Sequence, residues 1–207
     1  VFLPEPMPAN RELFQAARAA PALIPVPVIN PALAVWREHL DECRAAAKVR
    51  AVRIFPAYHR YTLRHRNLGG FMEALDEAGI RLIVCARLED ERNRYAGLKV
   101  KGVPAGELAR FLARFREFHV LCTGLDRAEV AALAKDHDNF SAELCFCEYM
   151  DTVADLLTAL PASRLMLGTN TPLLTTLAET AKLRHARVSA RVRERIGSGN
   201  ARRFFSL

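Results

Sequence analysis

The residues best suited to chemistry fall in a few short clusters. Tyr58-His59-Arg60-Tyr61 places a histidine between two phenols. Imidazole titrates near neutral pH, so His59 could serve as a general acid or base, or it could orient its loop by hydrogen bonding. Arg87 carries a planar fork suited to a substrate carboxylate. Its bland alternative is a salt bridge to Glu89, Asp90 or Glu143. The run Glu89-Asp90-Glu91-Arg92 reads as a solvated loop or salt-bridge hub ahead of a catalytic pair. Glu143 shares an alternating phase with Ser141, Cys145 and Cys147, and that phase points inward. An inward carboxylate needs a partner, for which Arg53 is placed. Cys85, Cys122 and Cys145 could hold zinc as three thiolates, although free cysteines more often act as small buried fillers. Asn30, Thr123 and Asn170 complete the polar set.

What would position these groups is a regular alternation of short β-branched runs and helical patterns. Strands are expected at residues 23–29, 49–55, 80–86, 119–123, 140–147 and 164–168. Helices are expected at 67–77, 105–115, 127–135 and 151–160, with a last helical region ending at Phe205. Asn30-Pro31 is expected to cap and open a further helix bearing Leu33, Trp36, Leu40 and Cys43. Gly79 suits a helix C-cap. Val1-Phe2-Leu3 reads as the tail of a seventh strand, followed by a helix over 9–19. Strands alternating with helices imply a parallel sheet covered by helices. Neither GxGxxG nor GxxxxGK follows any strand, which argues against a dinucleotide fold or a P-loop enzyme. The expectation is α/β, a (β/α)8 TIM-type barrel lacking its first strand-helix unit. Active sites in such barrels lie at the C-terminal strand ends, where the polar residues above fall.

Composition narrows the classes. The 207 residues are 51% hydrophobic and 26% charged, with 5 Cys, which excludes a disordered chain or a disulfide scaffold. The most apolar stretch, 22–29, is far below the ~20 residues of a spanning helix, so no membrane partner is expected. The net charge of +7 belongs to the tail. Between Lys182 and Arg203 eight basic residues face one acid, Glu194, while the rest of the chain is neutral. That pattern reads as a solvated helix face, so no nucleic-acid partner is expected. Residues 1–207 are expected to form a single domain, incomplete at the N-terminus because Val1 is not Met. A barrel of seven strands leaves edges unpaired. Either an upstream strand or a partner, such as a second copy in a homodimer, would cover them.

Three stretches carry a resemblance: Val52-Arg53-Ile54-Phe55-Pro56 with Tyr58-His59, Leu165-Met166-Leu167-Gly168-Thr169-Asn170-Thr171-Pro172, and Gly199-Asn200-Ala201-Arg202-Arg203-Phe204. Together they resemble the amidohydrolase-related superfamily, specifically its amidohydrolase 2 branch. The resemblance implies a metal-assisted hydrolase or decarboxylase in a (β/α)8 barrel. It also implies metal ligands: a His-x-His pair on the first strand, histidines on strands five and six, and an Asp on strand eight. This chain departs from that set. It has no His-x-His, Cys85 stands at the strand-five position, Cys122 or Thr123 at strand six, and Asn170 at the Asp.

The functional expectation is therefore a hydrolase or lyase acting on a small anionic carboxylate or lactone, in the cytoplasm and without the usual divalent metal. His59, Arg87 and Asn170 would be catalytic, and Tyr58, Tyr61, Asn30, Glu143 and Thr123 would bind substrate. No metal ligands and no cofactor are expected, a divalent metal entering only if upstream residues supply its ligands. The alternative is a catalytically degenerate barrel that binds a partner or serves a structural role.

Overall fold

The computed structural model describes residues 3–90 and 100–207. Five strands form one parallel sheet in the order of the chain: β1 (Ala51–Ile54), β2 (Arg81–Cys85), β3 (Val120–Thr123), β4 (Phe140–Glu143) and β5 (Leu165–Met166). Each neighbouring pair is bridged by a crossover containing α3 (Leu68–Glu77), α4 (Ala105–Arg114), α5 (Arg127–Ala134) or α6 (Thr152–Leu156). A doubly wound sheet would reverse its strand order at a switch point. This order never reverses, so the sheet is an arc of a (β/α) barrel, as the alternation predicted.

Strand alternation sorts the side chains into two layers. Val52, Ile54, Leu82, Val84, Val120, Cys122, Phe140, Ala142 and Leu165 belong to the large core beneath the helices. Ala51, Ile83, Leu121 and Met166 face the other way and pack against Phe204, with Val26, Ala201 and Phe205 around them. The inner face is thus plugged by α9 (Asn200–Phe204), the helix that closes the chain.

Several boundaries differ from the sequence reading. The segment at 23–29 contributes one parallel bridge, Val28 to Arg53, because Pro25 and Pro27 have no N–H to give. Asn30 does not open a helix. Its Oδ1 accepts from Ala32 N in a local turn, and α2 (Trp36–Ala45) begins five residues later than Pro31. The strand at 140–147 stops at Glu143, and the chain then turns, with Cys147 N donating to Leu144 O. β5 is cut to two residues, since beyond it Leu167 N donates to Ile196 O of the C-terminal helices. Val1 and Phe2 of the strand expected at the N-terminus lie outside the described residues, and Leu3 is an exposed bend. The helix behind it is α1 (Met7–Ala19). The α3 terminus is as read: Gly79 sits at φ +64°, and Ile80 N reaches back to Leu75 O. The C-terminal region also contains α7 (Thr176–Arg184) and α8 (Ala190–Glu194).

Candidate functional site

At the C-terminal ends of the strands the inward phase ends in Arg53, Cys85, Thr123, Glu143 and Gly168, one residue from each of β1 to β4 and one just beyond β5. These groups line a chamber of about 320 Å3, together with Arg87 and the Thr169-Asn170-Thr171 turn. Of the expected site residues, the fold brings Arg87, Thr123, Glu143 and Asn170 together here. Asn30, Tyr58, His59 and Tyr61 are not part of this wall.

Each displaced residue has a local reason. Asn30 is buried and spans two segments, its amide donating to Pro4 O while its carbonyl holds Ala32 N. After Phe55 the chain turns back on itself, with His59 N bonded to Phe55 O. The His59 ring therefore packs edge-on to Phe55 at 6.3 Å. Burial, with Glu89 adding to it, pushes the Tyr58 phenol above its ordinary pKa, and the backbone of Leu88 and Glu89 bonds it. Tyr61 is pushed up further, by burial alone. Its hydroxyl has no hydrogen-bond partner among the described residues.

Arg87 is a hub whose acid the sequence did not reveal. Its fork donates to both carboxylate oxygens of Glu129 at 2.6 Å and to Gly124 O at 3.0 Å. None of Glu89, Asp90 or Glu143 is the acid in this pair. Glu129 in turn closes a capping box with Asp126 at the start of α5. Gly124, at φ +74°, is required in this arrangement, because a Cβ there would collide with the Arg87 backbone. The Arg87 fork therefore ties β2 to the β3–α5 turn.

Glu143 reaches into the chamber and is held on one side. Its Oε1 accepts from Gly124 N at 3.3 Å and from the Cys145 thiol at 3.0 Å. Its Oε2 lies against Gly168, where any Cβ would strike it. The expected Arg53–Glu143 ion pair does not form. Backbone and thiol donors satisfy the carboxylate instead. Arg53 stays half-buried, its Nε has no hydrogen-bond partner among the described residues, and the fork lies 6.0 Å from the Phe55 ring. The sequence signal for Arg53 is its inward phase on β1.

The cysteines divide by face. Cys85 is in register with Thr123 and looks into the chamber, whereas Cys122 is in register with Val84 and points under the helices. Cys145 lies beyond the end of β4. The three thiols therefore do not converge. Burial pushes Cys85 up to about 11 and Cys122 up to about 12, and it pushes Cys145 up as well. Of the run 89–92, Glu91 and Arg92 lie outside the described residues.

Comparison with known proteins agrees with this architecture. A family model described as Amidohydrolase matches residues 9–207. A search of curated proteins found no match. Among solved structures, 2,6-dihydroxybenzoate decarboxylase from Rhizobium superposes with a TM-score of 0.73 at 16% identity, over 97% of this chain and 76% of that one. 5-Carboxyvanillate decarboxylase from Sphingomonas paucimobilis gives 0.75 at 14% identity, over 96% and 71%. A dihydroxybenzoic acid decarboxylase from Polaromonas, with bound manganese and 2-nitroresorcinol, gives 0.73 at 13% identity, over 98% and 75%. These likenesses establish the barrel fold.

Manganese in that relative raises the question of fit. The Cys85 thiol keeps its proton and donates to Arg87 O at 3.2 Å. Asn170 offers a neutral amide, whose nitrogen is spent on Leu88 O at 2.8 Å. Thr123 supplies a hydroxyl, and a guanidinium projects into the same space. Among the described residues, no three His, Cys, Asp or Glu side chains gather as a cation requires. These donors do not fit a divalent metal.

Proposed function

The chain belongs to the amidohydrolase family, and from that premise we propose that its strand-end chamber takes a small carboxylic acid for a lyase or hydrolase reaction. The observation that carries this reading is the Arg53 guanidinium, half-buried in the chamber wall, its Nε without a hydrogen-bond partner and its fork without an ion pair among the described residues. A cation in such a place is costly until something neutralises it, and a planar carboxylate matches its fork. Glu143 is the one carboxyl among the described residues lining the chamber. It is the group to give or take a proton at the bound acid, with Oε1 anchored and Oε2 facing the space beside Gly168. Thr123 and Asn170 complete the polar wall. In this proposal Arg87 positions the β2 and β3 ends through Glu129, and His59, Tyr58 and Tyr61 shape the loop behind. The reaction uses the chain's own groups, without a metal held by the described residues.

The structural relatives named above are decarboxylases of small aromatic acids, which makes 2,6-dihydroxybenzoate and 5-carboxyvanillate the first ligands to try. Titration calorimetry should give saturable binding that weakens tenfold to a hundredfold in Arg53→Gln, equivalent to the roughly 1.5–3 kcal/mol of a charged hydrogen bond. Unchanged affinity in that variant would refute Arg53 as the anchor. If turnover is found, Glu143→Gln should cut it by about 10²–10⁴ with little change in affinity.

A second reading, a barrel that binds without chemistry, is favoured by one feature: Phe204 and Phe205 fill the inner face below the chamber. Arg53-dependent binding with no turnover on any small carboxylate would support it. A single domain over 1–207 and a reducing, cytoplasmic location belong to the same proposal. All five cysteines are free and buried, in keeping with such a compartment. No helix among the described residues is long and apolar enough to cross a membrane.

A further inference from the structure

The inward face has a second polar end. At the N-terminal ends of the strands, below the Ile83–Leu121–Met166–Phe204 layer, a cavity of about 310 Å3 is lined by Arg81, His119, Ser141, Arg164 and Arg203. Arg81 opens β2 in phase with Ile83 and Cys85. His119 precedes β3 in phase with Leu121 and Thr123, and Ser141 lies on β4 in phase with Glu143. The same pleat that builds the carboxylate chamber therefore builds this one, whose lining among the described residues carries three guanidiniums and no carboxyl.

Among the described residues, none of these arginines forms an ion pair. Arg164 is fixed by its neighbours: Nε donates to Phe140 O at 2.8 Å, Nη2 to His137 O at 2.7 Å, and the fork stacks 4.6 Å from the Phe140 ring. Arg81 and Arg203 approach from β2 and α9 with exposed forks. His119 Nε2 and Ser141 Oγ are hydrogen-bonded at 2.9 Å, and Ser141 is only 2% exposed. Whichever of the two donates, one N–H or O–H of the pair remains for another acceptor. Burial, reinforced by Arg164 and Arg81, holds the imidazole below its ordinary pKa, against a small opposing pull from Asp138. Arg164 thus keeps its Nη1 for a ligand, Arg81 and Arg203 keep exposed forks, and Asp138 is the acid whose charge reaches both His119 and Arg164.

We propose that this lower cavity binds a phosphate group, either the free ion or the end of a small monoester. A carboxylate is planar and is satisfied by one fork. Three guanidiniums from β2, the turn just before β5 and α9, with a hydroxyl–imidazole pair on the fourth side, suit the spread oxygens and higher charge of a phosphate. The room beyond the ion is enough for a small ester substituent. The inference is independent of the carboxylate reading of the upper chamber.

The test is titration of the full chain with inorganic phosphate and, separately, with phenyl phosphate, followed by calorimetry and by the His119 ring resonances. Saturable binding that shifts those resonances is expected. The double variant Arg81→Gln/Arg203→Gln should lose about tenfold or more in affinity, whereas Arg53→Gln should bind phosphate like the parent. Response to inorganic phosphate alone assigns the site to the free ion, and response to phenyl phosphate alone assigns it to an ester. Should the double variant fail to fold, Arg203→Gln alone decides by the same loss of affinity. Three results would overturn the proposal: no saturable binding of either probe, binding that leaves His119 unmoved, or binding lost in Arg53→Gln but kept when Arg81 and Arg203 are replaced.

Discussion

A guanidinium and a carboxylate that share a chamber without pairing leave two charges for something else to answer. Glu143 is answered by Gly124 N and the Cys145 thiol, while Arg53 Nε has no partner among the described residues and in the proposed function takes the ligand. The position of Glu143 depends on the missing side chain at Gly168, where a Cβ would strike the carboxylate. Gly168→Ala should therefore lower stability by about 1–3 kcal/mol, as overpacking does, and should displace Glu143. Urea unfolding measures the first effect and turnover on any bound acid the second. An alanine variant with unchanged stability and turnover would show that Glu143 sits elsewhere. Alternation along β4 made the inward phase of Glu143 legible in the sequence. The acid that grips Arg87 was not legible, because Glu129 is 42 residues away on α5, a distance only the tertiary fold closes. For His59 the two sequence readings, acid/base or loop orientation, were both open. A strand-end position is legible in the sequence, whereas the turn over residues 56–60 that packs its ring edge-on to Phe55 is not.

Short strands and capped helices set those positions. α5 starts with a reciprocal box between Asp126 and Glu129, and Glu129 is also the anchor of Arg87. Asp126→Ala should cost about 1 kcal/mol as a lost cap, and its effect should not add to that of Arg87→Ala, since both act through Glu129. A double-mutant cycle in urea checks this, and strict additivity would separate the cap from the hub. Most helix and strand positions were visible in the sequence as apolar periodicity broken by glycine and proline. Boundaries were less visible wherever a backbone donor decided them. Prolines at 25 and 27 reduced a seven-residue apolar run to one bridge, and the C-terminal helices took over the edge of β5 beyond Met166. The stretch 144–147 kept an alternating pattern after the strand had ended, because buried turns also need apolar side chains.

For the molecule as a whole, the inner face is closed by its own C-terminus. Phe204 is 6% exposed among Ala51, Ile83, Leu121 and Met166, so Phe204→Ala should cost about 3–5 kcal/mol, read from the denaturant midpoint. Buried thiols set the alkaline limit. Burial raises Cys43, Cys122 and Cys147 to about 12 and Cys85 to about 11, against an ordinary 9.0. The folded chain therefore holds more protons than the unfolded chain between those values. Stability should be full below pH 9 and should fall steadily as pH rises toward 11–12. His119 works in the other direction: its lowered pKa favours the fold above its ordinary 6.5, and that share is lost as pH falls. Thermal melts across pH would show both flanks. The barrel class was legible from strand-helix alternation and its family from three motifs, but the existence of two charged chambers on one inner face required the register. The most direct test of the central claim is a crystal structure of the full chain soaked with 2,6-dihydroxybenzoate. The account predicts the carboxylate on the Arg53 fork with the ring toward Glu143. A ligand bound away from Arg53, or an Arg53–Glu143 ion pair closing the chamber, would contradict it.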